Sequence, residues 1–207
     1  MFRTLTLSLL ALGLATGAIA DTKSEAFVRN ATYEMEKRTG EDQSRIIVDQ
    51  IDVSKMAGFV LGEYGRNLPT ADRVAFESRF EDFLVSVLAE RAWQLSGADI
   101  TVIGSVDRSD MESIVTTRVK SRAQPSTRMR WRLIREGDSW KAIDVQVGGL
   151  WLAIEQRAQV DIAMSYDDVD VGDLYDVYGG GQDELLAAST RNSGGGRRMV
   201  LFLDRVL

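Results

Sequence analysis

The sequence predicts an α+β fold, helices packed on a four-stranded antiparallel sheet, and three observations carry that reading. Up to Gly97 the apolar residues recur with the period of amphipathic helices. Beyond it the period drops to that of strands, over runs at 100–106, 113–120, 127–135 and 140–147. The runs are joined by Asp107-Arg108-Ser109-Asp110, Gln124-Pro125-Ser126 and Glu136-Gly137-Asp138, each with the composition of a hairpin turn, so strands adjacent in sequence are expected to pair.

Residues 1–20 are set apart as a secretory signal peptide. Arg3 supplies the positive start, 5–15 is a leucine-rich apolar run, and Ala18-Ile19-Ala20 offers the small residues a signal peptidase needs before Asp21. The apolar stretch 5–20 is broken by Gly13 and Gly17 and falls short of the ~20 residues a membrane span requires. The mature chain is then expected outside the cytoplasm. A lipoprotein is not expected, because lipidation after the signal needs a cysteine and the sequence has none.

The helical part opens with Thr22-Lys23-Ser24-Glu25, a capping-box pattern, after which Phe27, Val28, Ala31 and Met35 share one face. A break at Thr39-Gly40 precedes a second helical stretch whose apolar positions are Ile47, Ile51, Val53, Met56, Phe59, Val60 and Leu61. The turn at Asn67-Leu68-Pro69 leads into the clearest helix. Thr70 caps it, Asp72 meets the positive end of its dipole, and Phe76, Phe80, Phe83, Leu84, Val87 and Leu88 form one apolar stripe.

In the sheet the third run alternates cleanly, with Met129, Trp131 and Leu133 on one side and Arg128, Arg130 and Arg132 on the other. Gly148-Gly149 ends the sheet, and 150–164 reads as a helix with Leu150, Trp151, Ile154 and Ala158 facing inward. From 165 to 207 the composition changes. Asp167, Asp168, Asp170, Asp173 and Asp176 stand close together without a base among them, and two glycine triplets follow, which suggests a mobile acidic extension. The resulting division is 1–20 signal peptide, 21–164 folded domain, 165–207 extension.

Composition excludes several chemistries. With no cysteine and no histidine there is no thiolate nucleophile, disulfide, imidazole base or His/Cys zinc site. The mature chain has 24 basic against 31 acidic residues, net −7, of which 161–207 holds −5. A near-neutral body lacks the basic footprint that nucleic acid demands, so no nucleic-acid partner is expected. The acidic cluster does not fit a calcium loop, since counting from Asp168 the fifth and twelfth positions are Gly172 and Gly179. No metal and no cofactor are expected. The glycine triplets lack the strand, helix and lysine context of a phosphate cradle.

Two features remain. The arginines at 128, 130 and 132, with Arg118, Lys120 and Arg122 nearby, can face anionic headgroups, although such a row is ordinarily the wet side of a sheet. The aromatics Phe59, Tyr64, Phe76, Phe80, Phe83, Trp131, Trp140 and Trp151 can fill a solid core or line a cavity, and composition by itself favours packing. Asp99, Glu112 and Asp144 are dispersed carboxylates that nominate no catalytic pair.

The run Asp52-Val53, Met56-Ala57, Phe59-Val60-Leu61-Gly62, Tyr64, Thr70, Phe76, Phe80, Phe83 and Leu84, followed by 129–133, Gly137, Trp140-Lys141, Asp144-Val145, Val147, Gly149, Ile154 and Gln156-Arg157, resembles the MlaC family. These are periplasmic phospholipid-binding components of an ABC-type lipid transport system. The resemblance spans about 27–160. It implies that the sheet is twisted and encloses, with its helices, an apolar cavity for acyl chains. It also implies that the protein is a carrier and not an enzyme, passing phospholipid between membrane-anchored complexes of the inner and outer membranes and maintaining outer-membrane asymmetry, as a monomer. The chain departs from the family at Gly65, at Gly149-Leu150-Trp151, where an indole would narrow the cavity, and in everything from Ser165 onward.

A cavity of this kind answers a physical problem. Each buried methylene contributes about 0.8 kcal/mol, so two acyl chains cost on the order of 20 kcal/mol to carry through water. The lining expected is Phe59, Val60, Phe76, Phe80, Phe83, Val87, Met129, Trp131, Val145, Val147, Trp151 and Ile154, with no catalytic residue. Two other readings stay open: a small α+β enzyme using Asp99 or Asp144 as base on an apolar substrate, and an interaction domain with a solid core.

Overall fold

The helices come first along the chain: α1 (Thr22–Glu36), α2 (Gly40–Asp49), α3 (Val53–Leu61) and α4 (Thr70–Leu95). Strands β1 (Asp99–Ser109), β2 (Glu112–Lys120), β3 (Thr127–Glu136), β4 (Ser139–Val147) and β5 (Leu150–Trp151) follow, then α5 (Leu152–Ala163) and α6 (Val171–Gly179). The structure, a computed structural model, describes residues 22–95, 97–121, 125–165 and 171–179. The proposed signal peptide and the extension beyond 179 lie outside the described residues.

The sheet is an antiparallel meander in the order β1-β2-β3-β4-β5. It has five strands where the sequence indicates four. The additional strand is the pair Leu150–Trp151, which folds back on β4 through Gly148 at φ 58° and Gly149 at φ 90°, conformations that glycine reaches without strain. The helix expected from residue 150 therefore begins at Leu152.

Strand register sorts the two faces. Val115 lies opposite Trp131 and Trp131 opposite Val145, with Leu133 opposite Ser113 and Ala142, and these residues are buried beneath the helices. Met129, opposite Thr117 and Val147, continues that row, half-buried, toward the end of the sheet. The arginine row takes the other face, where Arg132 pairs with Glu112 at 2.9 Å and Arg130 donates to Gln146 at 3.3 Å.

The second helical stretch is two helices, α2 and α3, because the chain between them is tied to the sheet. Ile51 bridges Ala142 in parallel, with Asp52 N donating to Ala142 O at 2.7 Å and Ala142 N to Gln50 O at 2.9 Å. Asp52 then caps α3 by accepting the Lys55 amide at 2.9 Å. Lys55 reaches back to Asp52 and across to Glu136 on β3. Glu25 accepts the Ser105 hydroxyl at 2.9 Å and pairs with Arg29, helping Ser24–Ser113 (3.1 Å) fix α1 to β1 and β2.

One apolar cluster joins the inner sheet face to α1 through α5, and α6 belongs to it as well. Leu174 and Tyr178 of α6 are buried against α4 at 1% and 4% exposure. The expected boundary at residue 164 therefore leaves out a helix that packs into the core. Five aspartates mask its Leu174/Tyr178 pair, spaced one helical turn apart.

Candidate functional site

The interior is organised around α4. Phe76, Phe80 and Phe83 fall on one side of the helix because their spacing follows its turn, and all three are buried. Their rings form a ladder, Phe76–Phe80 at 5.9 Å and Phe80–Phe83 at 6.1 Å between centroids. Val87 extends the stripe by a further turn, and Val60 on α3 is buried in the same cluster. On the sheet side Trp131 and Val145 are buried, the indole N–H donating to Thr117 Oγ1 at 3.1 Å, while Met129 and Val147 are half-buried.

A residue that the sequence reading did not single out stands at the centre of the stripe. The Tyr178 ring meets Phe76, Phe80 and Phe83 edge-on, at 5.3, 5.4 and 5.0 Å. Its hydroxyl donates to Gln156 Oε1 at 3.3 Å, and burial pushes the phenol pKa up, so it remains a neutral donor.

Three expected lining residues lie elsewhere. Phe59 is 44% exposed and Ile154 is 54% exposed. On α3 the inner side is Met56, Ala57, Val60 and Leu61, which turns Phe59 outward; on α5 it is Ala153, Gln156 and Val160, which does the same to Ile154. The side expected for α5 is turned away from the buried one by roughly 140° at about 100° per residue. The cause is Gln156: a polar residue on the buried side breaks the apolar stripe that would have marked it. Trp151 pairs with Gln146, which pairs with Arg130, and the Arg130 guanidinium lies 5.7 Å from its ring centre. The indole therefore belongs to the arginine face and does not narrow the interior.

Phe59 nonetheless has a function in the architecture. Its carbonyl accepts Arg157 Nη1 at 3.1 Å and its ring lies 5.7 Å below that guanidinium, latching α5 to α3. The guanidinium occupies the space beside Gly62 that a Cβ would need.

The carboxylates considered as bases are otherwise engaged. Asp144 is buried, and its Oδ1 accepts the Val145 amide at 2.8 Å and the Ala153 amide at 2.9 Å, tying the start of α5 to β4. Burial outweighs those amide bonds and raises its pKa above the ordinary value. Asp99 is exposed and accepts the Thr101 hydroxyl at 3.1 Å. Among the described residues no group of three or more acidic, His or Cys side chains is placed to hold a metal ion. No helix among them is long and apolar enough to cross a membrane.

Helices over one face of an antiparallel meander, with an aromatic stripe and a buried Tyr–Gln pair among the helices, define an α+β protein whose distinctive chemistry is apolar. The chain belongs to the MlaC protein family, which matches residues 23–171. A phospholipid-binding protein from Ralstonia solanacearum, solved in complex with a phospholipid, has a similar fold, with TM-score 0.65 and 15% identity over 82% of this chain and 98% of that one. Comparison with curated proteins finds no match.

Proposed function

We propose that this chain is a periplasmic phospholipid carrier, exported by its N-terminal signal, that moves lipid between membrane-anchored complexes of the inner and outer membranes and so maintains outer-membrane asymmetry. It acts as a monomer, by burial and release. The observation that carries this reading is the Phe76/Phe80/Phe83 ladder and the Trp131–Val145 row sharing one buried apolar cluster in a fold of the MlaC family. The phospholipid held by the Ralstonia protein supports the same ligand class for this chain.

The proposed lining is Val60, Phe76, Phe80, Phe83, Val87, Met129, Trp131, Val145 and Val147. Acyl chains take the place of ring and aliphatic contacts there. Bilayer and protein interior are both apolar, so transfer between them requires no covalent step and no metal. Native mass spectrometry after gentle purification tests the reading. A mass increment matching a phospholipid is expected; a chain that emerges empty and takes up no lipid from vesicles overturns it.

A further inference from the structure

Gln156 is 1% exposed on the inner side of α5. Its Oε1 is held by the Tyr178 hydroxyl, but its Nε2 has no hydrogen-bond partner. Two N–H donors are thus stranded in a buried setting, where an unmet donor costs more than a made bond returns. Turning the amide over does not relieve this. Nε2 could then donate to the tyrosine oxygen, but Oε1 and the hydroxyl proton would both lose their partner. The amide is next to the place where ligand is expected, since the ring whose hydroxyl holds it lies edge-on to Phe76, Phe80 and Phe83.

We infer that Gln156 is a specificity residue of the lipid site, its free amide donating to the ester carbonyl oxygen of an acyl chain lying on the phenylalanine ladder. Tyr178 is the positioning residue: by occupying Oε1 it presents the nitrogen. An ester carbonyl matches this donor because it is the acceptor found where the polar backbone of a diacyl lipid gives way to hydrocarbon. An ether-linked chain of the same length has no carbonyl there and leaves the amide stranded. A site built around a buried donor disfavours a ligand lacking the acceptor, because the donor is then left unpaired.

The inference rests on the phospholipid-binding reading, and one experiment separates the two. The full chain, stripped of lipid, is titrated with two phospholipids of identical headgroup and chains, one diester and one diether, and binding is followed by native mass spectrometry. Wild type is expected to prefer the diester by about tenfold. Gln156→Leu is expected to bind both alike, and Tyr178→Phe, which keeps the ring, to narrow the preference while still binding. If wild type binds both lipids equally, the amide anchor is wrong and the carrier reading stands. If it binds neither, both fail. Should Gln156→Leu not fold, the wild-type ratio and the Tyr178→Phe ratio decide.

Discussion

Gly62 combines two demands in one residue: φ of 54°, and the Arg157 guanidinium where a side chain would begin. Gly62→Ala is expected to cost about 1–3 kcal/mol from backbone strain and the displaced latch, read as a lower urea midpoint. Arg157→Lys keeps the charge but loses the planar donor over Phe59, and is expected to be destabilising too, by less. Asp144 gives a prediction in pH. Its pKa is raised in the folded state by burial, so its contribution to stability is fully present below the unfolded pKa and is lost as pH rises through the folded one. Asp144→Asn keeps an acceptor oxygen for the Val145 and Ala153 amides without a charge to bury. Urea midpoints measured across acid to neutral pH should show the variant gaining on wild type as pH rises. The enzyme alternative requires instead that this carboxylate serve as a base, whereas its Oδ1 is taken up by backbone amides.

At the scale of elements, α6 packs on the core through Leu174 and Tyr178, with Val171 beside them. Tyr178→Ala removes a ring in contact with three others and is expected to cost about 3–5 kcal/mol, whereas Tyr178→Phe loses only the hydroxyl bond, about 1 kcal/mol, both by urea denaturation. The contrast shows why some elements are legible in sequence. α4 advertises itself, because Thr70, Asp72 and the phenylalanine spacing all point to one helix with one inner side. The alternation through Met129, Trp131 and Leu133 likewise places the inner sheet row correctly. α5 carries the opposite signal: its buried side includes Gln156, so periodicity selects the exposed Ile154 instead. α6 is hidden because its short apolar set, Val171, Leu174, Tyr175, Val177 and Tyr178, follows directly on an acidic run and reads with it as solvated chain, and β5 because two residues between a glycine pair and a helix show no alternation. Phe59 reads as lining because it sits in a continuous apolar run, where only the phase of the helix tells inside from outside.

Over the whole molecule, the chemistry that the sequence excludes and the chemistry that the fold concentrates agree. A chain without cysteine or histidine gathers Phe76, Phe80, Phe83, Trp131 and Tyr178 in one buried cluster, sets Arg130 and Arg132 on the other sheet face, and holds the buried Asp144 at a helix start. The Gln156–Tyr178 pair introduces a free polar donor beside the stripe, from which the ester-dependence follows. The central claim is that acyl chains lie against Trp131 on the inner sheet row. Tryptophan emission measured on binding a phospholipid brominated along its acyl chains tests this most directly. Strong quenching in wild type that largely disappears in Trp131→Phe is the expected result. Bound lipid, verified by mass, that leaves wild-type emission unchanged or quenches Trp131→Phe equally would contradict it.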